Sequence, residues 1–525
     1  MSFSDGRTCK EWLKTIAITN VTQAQQVMLD ALRVMSRRDM VAVERLTCME
    51  LLRDKVAFLQ AEQRSRYTGK TVPLNHGDTS AWETSRLLVE EMEAGYRRCF
   101  DEATAGAPGI DAHMALIIQR IMRYLGLQML FPAMIYRRFD PALWMRMHLQ
   151  WIEAEGRQVQ RAKVKDSVGS IDGISSVESA YVAVLLAQMA NTYELAPRQI
   201  DFVDAVLKRF ASKVTVETDP AACSVSPLLV VDLFGNAGVY YRQKEDATDH
   251  RRFLNIDALS KSLRGRIAKL QEGEVPGNLN LPPDWSIADT LVQLRRLHKI
   301  WCEGGAPRTA GVVPAETDAV LCFGIDEIHY FVSGTTFEQP GQKPRELTQK
   351  EMNDFVMFGK LSQATTKARS VDTTFATETW GVVDEGKGYV RLLRPSQSAR
   401  GVAVGRLVGV RMGAKGMLFL AVIREVVQEL DGAIFVVLGL LPGMPEAAAI
   451  RSADMRNRPG SHFVRGFRLP AVAGLREPET WIVPSGMTQP GRGIDVYPKG
   501  QNGHKEFTLH EFVDRGADFD RVTVY

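Results

Sequence analysis

The stretch Gly381-Val-Val-Asp-Glu-Gly386-Lys387 has the spacing G-x-x-x-x-G-K, in which backbone N–H groups cradle phosphates and the lysine neutralises them. A nucleotide-hydrolysing loop also needs Ser or Thr at the next position to hold Mg²⁺, and it must open a helix. Here Gly388 comes next and YVRLL follows, a run that reads as a strand, so the pattern predicts a glycine-rich turn between two strands. Arg157 and Arg161 form an R-x-x-x-R pair that could grip a phosphate bidentately.

Other chemistries find little support. The nine histidines show no H-E-x-x-H or comparable ligand spacing. His510-Glu511 with Asp514, Asp518 and Asp520 lacks the Gly and Glu positions of a calcium loop and reads as a charged terminal turn. Cys9, Cys48, Cys99, Cys223, Cys302 and Cys322 are scattered without a C-x-x-C or a close His, which predicts buried reduced thiols. There is no G-x-S-x-G elbow and no cysteine in a nucleophile signature. No catalytic residue and no metal ligand is assigned, and a non-enzymatic protein is expected. His329, in IHYFV, alternates with apolar neighbours on a predicted strand and reads as a core histidine.

The elements that must position these residues fall into two halves. With 525 residues, 45% hydrophobic and 24% charged, the chain has globular composition and length for about three domains. A formal charge of +3 is too near balance for the basic face of a generic nucleic-acid binder. Leu46, Met49, Leu52, Val56 and Leu59 recur at helical spacing, as do Leu88, Met92, Tyr96 and Cys99, and again Met114, Ile117, Ile118, Ile121, Met122, Leu125 and Met129. Residues 1–154 therefore read as an all-α helical domain. The apolar stretch 115–136 is interrupted by Gln119, Arg120, Arg123 and Gln128, which predicts a buried helix and no membrane span. The opening MSFSDGRTCKEWLK lacks the apolar core and small-residue site of a signal peptide, so a cytoplasmic location is expected.

Residues 155–176, EGRQVQRAKVKDSVGSIDGISS, are polar and then Ser/Gly-rich, and they read as a linker. A mixed helical segment follows over 177–303, with one short strand at 228–233. After Gly304 the runs AVLCFGIDEIHYFVSG, ETWGVVDEGKGYVRLL, GRLVGVRMG, GMLFLAVIREV and GAIFVVLGLL are β-branched, aromatic and punctuated by Gly, which predicts a small antiparallel barrel over 304–445. A helical insert is expected at 347–362. Strand signals at 462–469, 480–483, 493–496 and 521–525 predict a second small β unit over 446–525. The fold class is α+β and multidomain.

This strand half, with the lead-in GGAPRTAGVVPAETDAVLCFGIDEIHYFVSG followed by TWGVVDEGKGYVRLL, VGRLVGVRMG and LFLAVIREV, resembles the PilZ-like domain of a family of large proteobacterial proteins described as candidate cyclic di-GMP receptors. The N-terminal half is similar to the same family in EWLKTIAITNVTQAQQVMLDALRVM, ERLTCMELLRDKVAFLQ and SAYVAVLLAQMANTYELAPRQI. PilZ domains bind the dinucleotide with an R-x-x-x-R segment ahead of the barrel and a D/N-x-S-x-x-G turn on it. Guanidinium forks pair with phosphate and stack on guanine, while a tight polar turn meets a guanine edge.

The chain departs from both motifs. The lead-in carries only Arg308, with Gly304 and Val312 four positions away, and the turn Asp384-Glu385-Gly386-Lys387-Gly388-Tyr389 keeps the Asp but has Gly in place of Ser and is one residue short. The resemblance implies a cytoplasmic signalling protein that regulates motility or surface behaviour through a protein partner, with cyclic di-GMP as ligand and no cofactor. Arg308, Asp384 and Arg391 would contact phosphate and base, and Gly386 and Gly388 would allow close backbone approach. Two other readings remain: an interaction scaffold whose nucleotide site has decayed, and a nucleotide hydrolase or thiol enzyme.

Overall fold

The computed structural model describes residues 3–242, 250–305, 313–315, 317–340, 375–386, 388–413, 416–456, 461–487, 489–498 and 503–525. The expected helical insert at 347–362 and the residues Arg308, Val312 and Lys387 lie outside them. The chain divides into two compact units, one of residues 1–310 with 427–432, the other of 311–426 with 433–525.

The first unit is built on long helices whose ends are set by short polar side chains. Asp5 and Ser176 close capping boxes at the helices Gly6–Lys14 and Val177–Met189, and Asn75 caps His76–Thr104 by accepting the Asp78 N–H at 2.9 Å. The predicted apolar faces are the buried ones. Met49, Leu52, Val56 and Leu59 of helix Ala42–Gln63 pack with Leu88, Met92, Tyr96 and Cys99 and with Ile117, Ile121 and Leu125 of helix Met114–Ala133, all fully buried. Among the described residues no helix is long and apolar enough to cross a membrane.

One hydrophobic core runs from Phe3 to Cys302, through the stretch expected to be a linker. That expectation is corrected: 155–176 forms the small hairpin Val164–Lys165/Ile174–Ser175, and it inserts the fully buried Asp166 among arginines of the helices. The single strand expected near 228–233 is part of a four-stranded antiparallel sheet, ordered Thr215–Glu217, Arg251–Asn255, Leu229–Asp232, Tyr240–Tyr241.

The second unit holds two six-stranded barrels. The first closes in the order Tyr389–Leu393, Ile434–Leu440, Leu418–Gln428, Leu407–Met412, Asp318–Phe323, Glu378–Gly386 and back to Tyr389–Leu393, with the short Val313–Pro314 strand added on Glu378–Gly386. The second closes as Glu446–Ser452, Val464–Leu469, Thr480–Pro484, Phe519–Val524, Lys505–Arg515, Gly493–Pro498. Their cores meet in one cluster, where Cys322, Leu407 and Leu420 pack with Phe467, Ile482 and Phe519.

Two sequence expectations fail here. The run IDEIHYFVS is a helix, Ile325–Ser333, because Gly324 turns the chain at φ +81° and the fully buried Ile328 then faces that shared cluster. His329 thus sits on a helix, 5.8 Å from the Phe467 ring, and not on a strand. The charged tail 510–520 is no terminal turn: His510, Glu511 and Asp514 lie on strand Lys505–Arg515, and Asp520, fully buried on the next strand, accepts the Gly486 N–H at 2.9 Å.

Candidate functional site

The hairpin that carries Asp384, Gly386, Gly388 and Arg391 is a strand–turn–strand element of the first barrel. Val390 and Leu392 point into the barrel, as do Trp380 and Val382 of the facing strand, so alternation sends Arg391 to the outside. Gly388 takes φ +80°, a left-handed turn conformation that L residues adopt at a cost. Because Gly388 leads into a strand and not a helix, the phosphate-loop reading of 381–387 has no structural footing.

Arg391 and Asp384 are cross-strand partners, with Arg391 Nη1 3.7 Å from Asp384 Oδ2. Directly after this pair the register shifts, since Arg391 faces Asp384 but Leu392 faces Val382. The extra residue is Val383, and its carbonyl accepts the Ala315 N–H at 3.2 Å. Such a bulge twists the strand and re-aims its side chains. The guanidinium of Arg391 lies over Phe435, 4.8 Å from the ring centroid, and its side chain keeps 36% exposure. The result is a mostly buried carboxylate beside a guanidinium laid on an aromatic ring, with a tight turn, all on one outer face of the barrel.

Of the site residues expected from sequence, Asp384, Gly386, Gly388 and Arg391 are brought together on this hairpin. Arg308 lies outside the described residues, but the strand that follows the lead-in is described. Val313 pairs with Glu385 and Pro314 with Asp384, so the chain leaving the lead-in runs alongside the acidic residue. Sequence reasoning missed two residues. Phe435 belongs to a strand that was recognised, but only its pairing opposite Leu393 places it beside Arg391. Tyr389 packs over Gly386, where a methyl group would run into its ring, and its hydroxyl is buried with no hydrogen-bond partner among the described residues.

The remaining candidates are spent on structure. Arg157 pairs with Glu153 at 3.5 Å, and Arg161 pairs with Glu178 at 3.1 Å and Glu217 at 3.2 Å, so this R-x-x-x-R pair is internally neutralised. Burial pushes the thiols of Cys99 and Cys322 up to about 12 and those of Cys223 and Cys302 to about 11, opposite to what an activated thiolate needs. Asp495, His504 and Glu506 converge on the second barrel, yet Asp495 already holds Arg451 at 2.7 Å as well as Arg456, and Arg456 also reaches Glu506 at 2.9 Å.

Comparison with known proteins places this architecture. Residues 7–221 match the family described as "Cyclic-di-GMP receptor FimW, N-terminal domain", and residues 448–524 match the "FimW C-terminal beta-barrel domain". The two stretches are thus similar to the two terminal domains of the FimW receptor. The second of these matches coincides with the second closed barrel. The hairpin of Asp384 and Arg391 lies between the two matched stretches. A relative in the curated proteins, "Cyclic-di-GMP receptor FimW" of Pseudomonas aeruginosa (strain PAO1), is 21% identical over an alignment covering 95% of this chain and 88% of that protein. The likeness to the FimW receptor therefore includes the first barrel.

Proposed function

We propose that this chain is a non-enzymatic receptor for cyclic di-GMP, and that the dinucleotide binds on the outer face of the first barrel at the Asp384–Arg391 hairpin. The observation that carries the reading is the meeting of Asp384, Arg391 and Phe435 on one face, in a chain similar along nearly its whole length to a cyclic di-GMP receptor. The Arg391 fork, held flat by Phe435, is pre-set to take a phosphate bidentately or to stack on guanine. The Asp384 carboxylate can accept the ring N–H and amino group of a guanine edge. Arg308, a few residues ahead of Val313, would supply the second cation, and Tyr389 offers a phenol with no partner among the described residues. The turn at Gly388 keeps the backbone free of a side chain where the ligand approaches. Binding would bias the barrel unit toward a state read by a protein partner, in the cytoplasm, in the control of surface behaviour.

Isothermal titration of the full chain with cyclic di-GMP, with GTP as control, tests this directly. Saturable micromolar binding is expected, and Arg391→Ala or Asp384→Ala should each weaken it by about 10- to 100-fold, the loss of one charge-assisted hydrogen bond. Absence of binding by a folded sample would refute the receptor reading. Binding unchanged in both variants would move the site away from this hairpin.

A further inference from the structure

The first unit holds a second, unrelated feature: a partly open cavity of about 270 Å³ between the helices Ala42–Gln63, Met114–Ala133, Val177–Met189 and Pro197–Phe210. Small residues at facing positions, Ala57, Ala183 and Ala187, leave the space, Gly126 lets Val184 pack closely against its helix, and Met129, Phe131, Met134, Trp144 and Leu207 give apolar walls. An apolar cavity of roughly half this size stays dry and takes up benzene, so a space this large and greasy is a ligand pocket by its chemistry. The ion pairs Arg64–Asp201 and Lys208–Asp204, which also line it, are partly exposed and electrically neutral.

The wall is not apolar throughout. Arg53 and Arg123 line it beside Gly169 of the inserted hairpin. These two arginines and Arg120 surround Asp166, and Glu50 is the other carboxylate in the group, held by Arg120 at 2.7 Å. Three buried or nearly buried guanidinium groups thus face two carboxylates, and Asp204, which also acts on Arg123, is matched by its own partner Lys208, so the group keeps an excess of one positive charge at the cavity wall. An uncompensated buried cation attracts an anion strongly, because water does not screen it.

We infer that this cavity binds a single-chain anionic amphiphile, a medium-chain carboxylate whose tail fills the apolar space and whose head meets Arg53 and Arg123. The volume corresponds to roughly nine water-sized groups, which fits a chain of about ten carbons. This inference is independent of the barrel site. It is tested on the full chain by isothermal titration with decanoate below its micelle-forming concentration, beside decanol and decyltrimethylammonium. Saturable decanoate binding is expected, at least tenfold tighter than decanol, with no binding of the cation. Ala57→Leu and Ala183→Leu, which fill the space, should each weaken decanoate at least tenfold while the helical circular dichroism and its thermal midpoint hold. Arg53→Lys, which keeps the charge but removes the fork, should weaken decanoate more than decanol. Equal binding of the three amphiphiles, no saturation, or full binding by both folded filled variants would overturn the assignment.

Discussion

Asp166 shows how much one side chain can hold. It is fully buried, accepts Gln119 Nε2 at 2.7 Å and the Gly169 N–H at 2.8 Å, and bonds both Arg53 and Arg123, the latter at 3.2 Å. Burial alone would raise its pKa, yet Arg123, Arg53 and the Gly169 N–H together hold it well below the usual carboxylate range. A carboxyl with a depressed folded pKa contributes stability that is fully present above its unfolded value of about 4 and is lost as pH falls through the folded one. Asp166→Asn should therefore cost about 3–5 kcal/mol at neutral pH, because it strands buried guanidinium groups. Denaturant titrations at pH 7 and over pH 2–4 check this, the variant losing part of the acid slope that the parent shows. None of this was legible in EGRQVQRAKVKDSVGSIDGISS, a polar stretch in which only the partners, distant in sequence, distinguish a buried aspartate from a solvated one. The hairpin proposed as the barrel site was more legible, since Asp384, Gly388 and Arg391 lie close together in the sequence. On that turn Arg391→Lys is expected to retain some affinity for cyclic di-GMP and to lose the planar fork, so titration should place it between the parent and Arg391→Ala.

At the scale of elements, the sequence showed what periodicity can show. Helices with apolar residues at three and four, such as Leu88, Met92, Tyr96 and Cys99, are where they were expected because one face of each must be buried. Strands rich in Val, Ile and aromatics were equally legible. Glu446–Ser452, alanine-rich, and Lys505–Arg515, mostly polar, were not, because ring closure rather than composition makes them strands. The helix Ile325–Ser333 was misread for the converse reason, its β-type composition outweighed by the packing of Ile328. Close packing within the second ring gives a test. A Cβ on Gly466 would lie 2.7 Å from the Ile482 carbonyl oxygen and would collide with Ile450, so backbone and core would both have to shift. Gly466→Ala should destabilise the barrel unit by about 1–3 kcal/mol. Gly388→Ala should cost only about 1 kcal/mol, since its Cβ meets open space and the penalty is the left-handed φ alone. Equal losses of denaturation midpoint in the two variants would contradict this account.

On the scale of the whole chain, the division into a helical unit and a double-barrel unit places separate hydrophobic cores in one polypeptide, one running from Phe3 to Cys302, one shared by the barrels and one inside the second barrel. Chains with separate cores commonly unfold in more than one step, so a single two-state transition is not expected here. The helical far-ultraviolet signal follows the first unit. Hydrogen exchange at the barrel strands, around the nearly inaccessible Trp380 and Trp481, reports on the second. A ligand that binds only the native form raises stability by about 2.7 kcal/mol at a hundredfold excess over its Kd, and it acts on the transition of the unit it occupies. Cyclic di-GMP should therefore shift the barrel transition to higher urea, and decanoate should shift the helical one. The full chain unfolded with each ligand separately reads both predictions at once. If cyclic di-GMP moved the helical transition alone, the dinucleotide would belong to the helical unit, and the Asp384–Arg391 hairpin would be a structural turn with a surface ion pair.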